Sequence, residues 1–184
     1  MPLKKLPYKN LKTLIGIHLS TKEFPNTLEL IKKLTQVKQR KYLKKSELIL
    51  ICKWKSPRTI RLIESNSASI IRNKTKEALK TKSEKVRLDL LVTLQGVSIP
   101  MASAILMLTN PQRYGVIDIR VWQLLYAMKN VSENKRGVGF NFQNWYKYLM
   151  IIRYFAKMYN VNARDIERTL FNVHRLYQQD NLYR

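Results

Sequence analysis

Apolar side chains recur every three or four residues along most of this 184-residue chain, and that spacing constrains the fold more than any other feature. Residues at this spacing share one face of an α-helix, whereas strands show an alternating pattern, which is rare here. Only 5 Gly and 6 Pro interrupt the helical pattern. The sequence therefore predicts an all-α protein.

Prolines, glycines and capping residues divide the pattern into separate helices. We predict helices over 11–19, 26–37, 57–65, 68–80 and 84–94, a long helix ending at 159, and a last helix over 163–177. Another helix begins near Ser46, whose hydroxyl is placed to accept hydrogen bonds from first-turn amides, and ends before Pro57. No repeat or low-complexity linker forces a split into independent domains. We expect one two-lobed unit, with one lobe over about 23–107 and the other joining 1–22 to 113–184.

The charge is strongly unbalanced, with 35 Lys and Arg against 12 Asp and Glu and a net charge of +23. A folded basic surface of this kind indicates a polyanionic partner, and nucleic acid is the first candidate. An organism that uses Lys heavily, or an anionic membrane surface, is the alternative. No apolar run approaches the roughly 18 residues of a spanning helix. The start of the chain lacks the pattern of a secretory signal. We expect a cytoplasmic, monomeric protein, associated with the nucleoid when bound to DNA.

The segment from Leu88 to Leu108 reads as two helices joined by a sharp turn. Gly96 permits backbone angles that other residues avoid, and Pro100 fits the first turn of a helix. The turn and the following helix start present amides to one phosphate group. The predicted DNA-contacting positions of this hairpin are Gln95, Gly96, Val97, Ser98, Pro100 and Met101. The alternative is an ordinary helical hairpin with a glycine turn.

Asp118 follows Pro100 by eighteen residues, after an apolar triplet and before a new helix. By itself, an aspartate in this position is most simply a helix cap. Next to a bound phosphate backbone, its carboxylate can instead stabilise positive charge on the sugar of a nucleotide flipped out of the stack, as the base departs. Both interpretations remain open from the residues alone.

These residues resemble the helix-hairpin-helix DNA glycosylases, the superfamily that includes endonuclease III, the adenine glycosylases and the 8-oxoguanine glycosylases. The matching strings are LQGVS at 94–98 and VID at 116–118, within a stretch of about 88–126. The resemblance implies that Asp118 is the catalytic carboxylate of a base-excision repair enzyme that acts on a damaged or mismatched base in duplex DNA. Pro100 occupies the position of the family's lyase lysine, and a proline cannot form a Schiff base. The resemblance therefore implies a monofunctional, hydrolytic enzyme.

The resemblance also bears on cofactors. The single cysteine, Cys52, cannot ligate the iron-sulfur cluster that several branches carry. The family's hairpin often holds a monovalent cation, sodium or potassium, through main-chain carbonyls. In this chain those carbonyls map onto Val92, Leu94 and Val97. No other cofactor is expected.

Several residues outside the hairpin are further candidates for DNA contact. These are Trp54, Lys55 and Arg58 in the string CKWKSPR, and Arg113, Tyr114 and Arg120 around Asp118. For Trp54 the alternative is a core position with its basic neighbours in solvent. A short alignment to the adenine-glycosylase branch places Glu47 as a possible second acid, although a first-turn Glu that favours the helix dipole explains it equally well.

Two other functions stay open at this point. A helix-hairpin-helix module that binds DNA without chemistry keeps the hairpin and the charge and treats Asp118 as a cap. An RNA-binding protein would prefer structured RNA over duplex DNA.

Overall fold

The computed structural model describes residues 3–179 and Leu182, and within them it confirms the all-α prediction. The last residues of the second predicted lobe, 180, 181, 183 and 184, lie outside the described part. The described helices are α1 Leu11–His18, α2 Pro25–Lys33, α3 Thr35–Arg40, α4 Lys45–Lys55, α5 Ile60–Ser65, α6 Ala68–Lys80, α7 Glu84–Val92, α8 Ile99–Thr109, α9 Ile119–Ala127, α10 Phe142–Tyr159 and α11 Ala163–Tyr177, with a 3₁₀ turn at Pro57–Thr59. Leu3 and Gln178 form an isolated antiparallel bridge.

The first compact unit joins residues 1–22 to residues 112–184. Helix α11 packs against α1, α9 and α10. Helix α11 buries apolar residues such as Ile166 and Leu170. It also buries the charged residues Arg164, Glu167 and Arg168. Burying charge is costly unless it is paired, so the interior of this unit is organised by ion pairs and hydrogen bonds as well as by apolar packing.

The second compact unit covers residues 23–111. Helix α8 is its centre and packs against α2, α3, α4 and α7. Every residue from Met101 to Leu108 is buried, which requires small side chains where the neighbouring helices approach closely. Ala102, Ser103 and Ala104 supply them, and Ser103 satisfies its buried hydroxyl by donating to the carbonyl of Pro100 at 2.8 Å.

Two sequence predictions about helix ends are wrong. The helix expected over 26–37 breaks at Leu34, and the Thr35 hydroxyl donates to the Lys32 carbonyl at 2.7 Å, which competes with regular backbone pairing. Ser46 does not cap α4, because the helix already begins at Lys45. The amide of Lys44 donates to the Glu47 carboxylate at 2.7 Å, so Glu47 supplies the cap from inside the first turn.

Candidate nucleic-acid interface and acid site

The hairpin turn lies between the end of α7 at Val92 and the start of α8 at Ile99. Gly96 has a φ of 80°, in the region that favours glycine. A Cβ at this position would lie 2.9 Å from the Leu62 Cβ and 3.2 Å from the Ile63 amide nitrogen. The turn therefore needs glycine for its backbone conformation and for its close approach to α5.

Asn66 fastens this turn to the end of α5. Its side-chain amide donates to the carbonyls of Leu62, Ile63 and Gln95, each at 3.0 Å. Its side-chain oxygen accepts from the Gln95 amide at 2.9 Å. Asn66 itself is buried, so its side-chain amide depends on these hydrogen bonds in place of water. The backbone of the turn is held by a side chain 29 residues away in sequence.

Some of the turn amides that the sequence predicted to contact DNA are already hydrogen-bonded within the protein. The Gln95 amide is used by Asn66, and the Val97 amide donates to the Leu94 carbonyl at 3.0 Å. Within the described residues, the amides of Gly96, Ser98, Ile99 and Met101 have no hydrogen-bond partner in the protein. Unpaired amides at a turn and a helix start favour an anion, because they present aligned positive dipoles.

The carbonyls predicted to hold a monovalent cation lie at the same hairpin. The Leu94 carbonyl accepts the Val97 amide, although a carbonyl oxygen retains a second lone pair for a cation. Over residues 3–179 and Leu182 there is no group of three or more His, Cys, Asp or Glu side chains able to hold a metal ion. That finding does not bear on main-chain ligands, and the cation at Val92, Leu94 and Val97 stays a prediction.

Asp118 begins α9 as its N-cap residue. Its Oδ1 accepts from the Val121 amide at 3.0 Å, and its backbone is extended, with φ of −146° and ψ of 175°. The side chain is half-buried. The cap interpretation of Asp118 is therefore confirmed, and one carboxylate oxygen is not committed to that bond. Capping and catalysis are compatible, because a carboxylate has two oxygens and accepts several hydrogen bonds.

The segment that carries Asp118 is supported from α10 and α11. Tyr148 donates to the Val116 carbonyl at 3.1 Å, and the Glu167 carboxylate accepts from the Val116 amide. Gly115 is packed so tightly that a Cβ there would lie 2.5 Å from the Tyr148 hydroxyl and 2.7 Å from the Glu167 Cβ. The backbone amide and carbonyl of Val116, two residues before Asp118, are thus both held by buried side chains.

The charges beneath Asp118 are buried and coupled. Glu167 forms an ion pair with Arg164, and both side chains are almost wholly buried. Burial raises the pKa of Glu167; Arg164 opposes this shift, and the charge of Asp118 adds to it. Burial also raises the pKa of Tyr148 well above its usual value, with further contributions from Glu167 and Asp118. Asp118 therefore lies within electrostatic reach of a second carboxyl group.

The other candidates around Asp118 differ in their exposure. Arg113 is exposed, and its carbonyl accepts from the Arg153 guanidinium at 2.9 Å. The Tyr114 ring is 5% exposed and lies 4.9 Å beneath Arg153, so in this structure it presents no free face to a base. Arg120 is half-buried over the ring of Phe171, at 5.5 Å, and its Nε is buried with no hydrogen-bond partner.

The candidate residues in the second unit also differ in their solvent exposure. Arg58 is exposed, whereas Trp54 and Lys55 are half-buried. Trp54 donates through Nε1 to the Thr27 hydroxyl at 3.2 Å, which favours a packing role for its ring. Glu47 is paired with Arg40 and accepts the Lys44 amide, so its carboxylate is engaged within α3 and α4. Cys52 is buried.

Three residues of these sites escaped the sequence analysis: Asn66, Tyr148 and Glu167. Asn66 stands in a polar loop string, ESNS, that only suggests a turn. Tyr148 looks like one more apolar position of a long helix. Glu167 follows Arg164 at a spacing typical of exposed helical ion pairs, so its burial has no local signal.

Comparisons with protein-family models, with curated proteins and with solved structures find no match to this chain. In the described part of the chain, no helix combines the length and the apolar character that crossing a membrane requires.

Proposed function

We propose that this protein binds duplex DNA through its helix-hairpin-helix turn and hydrolyses the N-glycosidic bond of a damaged or mismatched base. One observation carries the proposal. A hairpin turn with open amides is followed, eighteen residues after Pro100, by an aspartate whose carboxylate caps α9 and whose near neighbour Val116 has its backbone braced by buried side chains. Catalytic carboxylates have to be held in this way, because small displacements of a reacting group are costly in rate.

In the proposed reaction, the bond between sugar C1′ and the base nitrogen breaks, and the departing base takes the electron pair. Positive charge develops on the sugar, and the Asp118 carboxylate stabilises it electrostatically. Water then forms a bond to C1′ and releases a proton, while the departing base acquires one. Pro100 offers no amine, so the chain forms no Schiff base at that position and the DNA strand stays intact.

The formal charge of +23 supports the binding half of the proposal. The contacts that backbone amides and basic side chains make with phosphates and sugars position a duplex without reading its sequence. We expect binding that is independent of sequence and that weakens steeply as salt is raised.

A panel of duplexes tests the proposal, with uracil, hypoxanthine, 8-oxoguanine, alkylated purines and single mismatches each placed once. We expect abasic-site formation on at least one duplex by the unaltered protein. Asp118→Asn should retain DNA binding and release no base. Glu29→Gln is the matched control, because it also removes one negative charge but lies exposed on α2 in an ion pair with Lys33. Excision by Asp118→Asn at the unaltered rate on such a substrate would refute the mechanism.

A binding module without chemistry is the second candidate. The observation that favours it is the bond from the Val121 amide to Asp118, since helix capping alone accounts for this residue. Intact duplex binding with no excision across the whole panel would support the module.

A further inference from the structure

An open cleft on α6 has no role in the function described above. Its volume is about 410 Å³, and it is lined by Ala68, Ser69, Arg72, Asn73 and Lys76. Ser69, Arg72, Asn73 and Lys76 follow the spacing of one helix face, and all four are exposed. The face therefore presents two cations and two neutral hydrogen-bonding groups to a single concave surface.

The two cations of this cleft are not neutralised by the protein. Arg72 and Lys76 stand four residues apart on the helix, an arrangement that destabilises a helix slightly because the charges repel. Neither has an ion-pair partner among the described residues. The Arg72 guanidinium lies over the Tyr42 ring at 4.8 Å, and the Arg40 guanidinium lies at the same distance from that ring. Tyr42 thus orients Arg72 without cancelling its charge.

The helix that carries the cleft begins next to the residue that holds the hairpin turn. Asn66, which binds both the amide and the carbonyl of Gln95, is followed directly by Ser67, the N-cap of α6. The Ser67 hydroxyl accepts from the Ile70 amide at 3.2 Å. The side chain that holds the hairpin turn and the residue that caps α6 are therefore adjacent in the chain, both within the second unit.

We propose that this α6 cleft binds a second phosphate of the nucleic-acid backbone held by the hairpin. Arg72 and Lys76 neutralise the phosphodiester charge, and Ser69 and Asn73 donate hydrogen bonds to its oxygens. The ligand is a phosphodiester chain and not free phosphate, because the cleft begins at Ala68, two residues along the chain from the Asn66 that holds the hairpin turn, and a strand bound at that turn carries further phosphates. The inference rests on the DNA-binding half of the proposed function and not on its chemistry.

The salt dependence of binding to a short undamaged duplex tests this inference by fluorescence anisotropy. Each phosphate contact contributes about 0.9 to the slope of log affinity against log salt. We expect Arg72→Ala with Lys76→Ala to reduce that slope by about 0.9, the share of the one phosphate, and Lys76→Ala alone to reduce it by part of that amount. Lys76→Ala alone is needed because it leaves the contact between Arg72 and Tyr42 in place, whereas the double variant removes that contact. Inorganic phosphate at matched ionic strength should not compete with the duplex.

Lys80→Ala with Lys82→Ala is the matched control, since it removes two exposed cations away from the cleft, at the last residue of α6 and just beyond its end. Equal slopes for the unaltered protein and the Arg72 and Lys76 variants, an equal loss in the control, or displacement of the duplex by phosphate would overturn the inference. Excision with unchanged slopes would refute the cleft and leave the glycosylase proposal standing. A reduced slope without excision would support the cleft and refute the glycosylase proposal. No duplex binding at all would refute the cleft and the proposed function together.

Discussion

Asn66 holds the backbone of Gln95 from both sides, by accepting its amide at 2.9 Å and donating to its carbonyl at 3.0 Å. This contact fixes the one turn that carries the open amides of the hairpin. Hydrogen bonds made by a buried side chain matter more through the cost of losing them than through their own strength. The geometry of the hairpin is thus set by a residue outside it.

Asn66→Ala should lower the free energy of unfolding by about 2 kcal/mol, since four backbone groups lose a buried partner. Duplex affinity should fall as well, because the turn is no longer held. Urea denaturation and anisotropy measure the two effects. Asn26→Ala, at an exposed asparagine in α2, is the control. If both variants lose the same stability, Asn66 does not organise the turn.

Gly96→Ala is expected to destabilise the protein by about 2 to 3 kcal/mol, because it combines a left-handed backbone with a contact of 2.9 Å to the Leu62 Cβ. Gly139→Ala is the matched variant, since Gly139 has a φ of 62° but a Cβ there would meet nothing within 4 Å. It should cost only about 1 kcal/mol. The difference in urea midpoint between the two variants isolates the close approach to α5, and equal losses would mean that this approach costs nothing.

Local features of this fold were predictable, whereas its long-range contacts were not. The bounds of α6, predicted as 68–80, depend on neighbouring residues, and the structure confirms them. The contact of Asn66 with Gln95 spans 29 residues, and that of Tyr148 with Val116 spans 32. A sequence pattern gives the face on which a side chain lies, but not the backbone that it meets there.

His174 gives the stability of the first unit a pH dependence. Its pKa is lowered from 6.5 to about 4, chiefly because burial disfavours the charged imidazole and secondly because Arg120 repels it. The folded protein therefore favours neutral His174, and this contribution is complete above pH 6.5 and is lost as the pH falls from 6.5 towards 4. A shift of this size corresponds to roughly 3 kcal/mol.

Urea denaturation between pH 7.5 and pH 4 measures this dependence. His174→Gln keeps a polar side chain near Gln123, which contacts His174 Nε2 at 3.2 Å, and removes the titrating group. The variant should lose less stability on acidification than the unaltered protein. Parallel losses in the two proteins would show that His174 does not titrate between the folded and unfolded states.

Asp118 permits capping and chemistry to be separated by two substitutions at one position. Asn is as good an N-cap as Asp, so Asp118→Asn should change the free energy of unfolding by only a few tenths of a kcal/mol. Ala cannot accept the Val121 amide, so Asp118→Ala should cost about 1 kcal/mol. Base release should be lost in both variants, since both lack the charge that stabilises the sugar cation. Urea midpoints and abasic-site assays provide the two readouts. Excision that falls in proportion to stability, with Asp118→Asn still active, would assign Asp118 to helix capping alone.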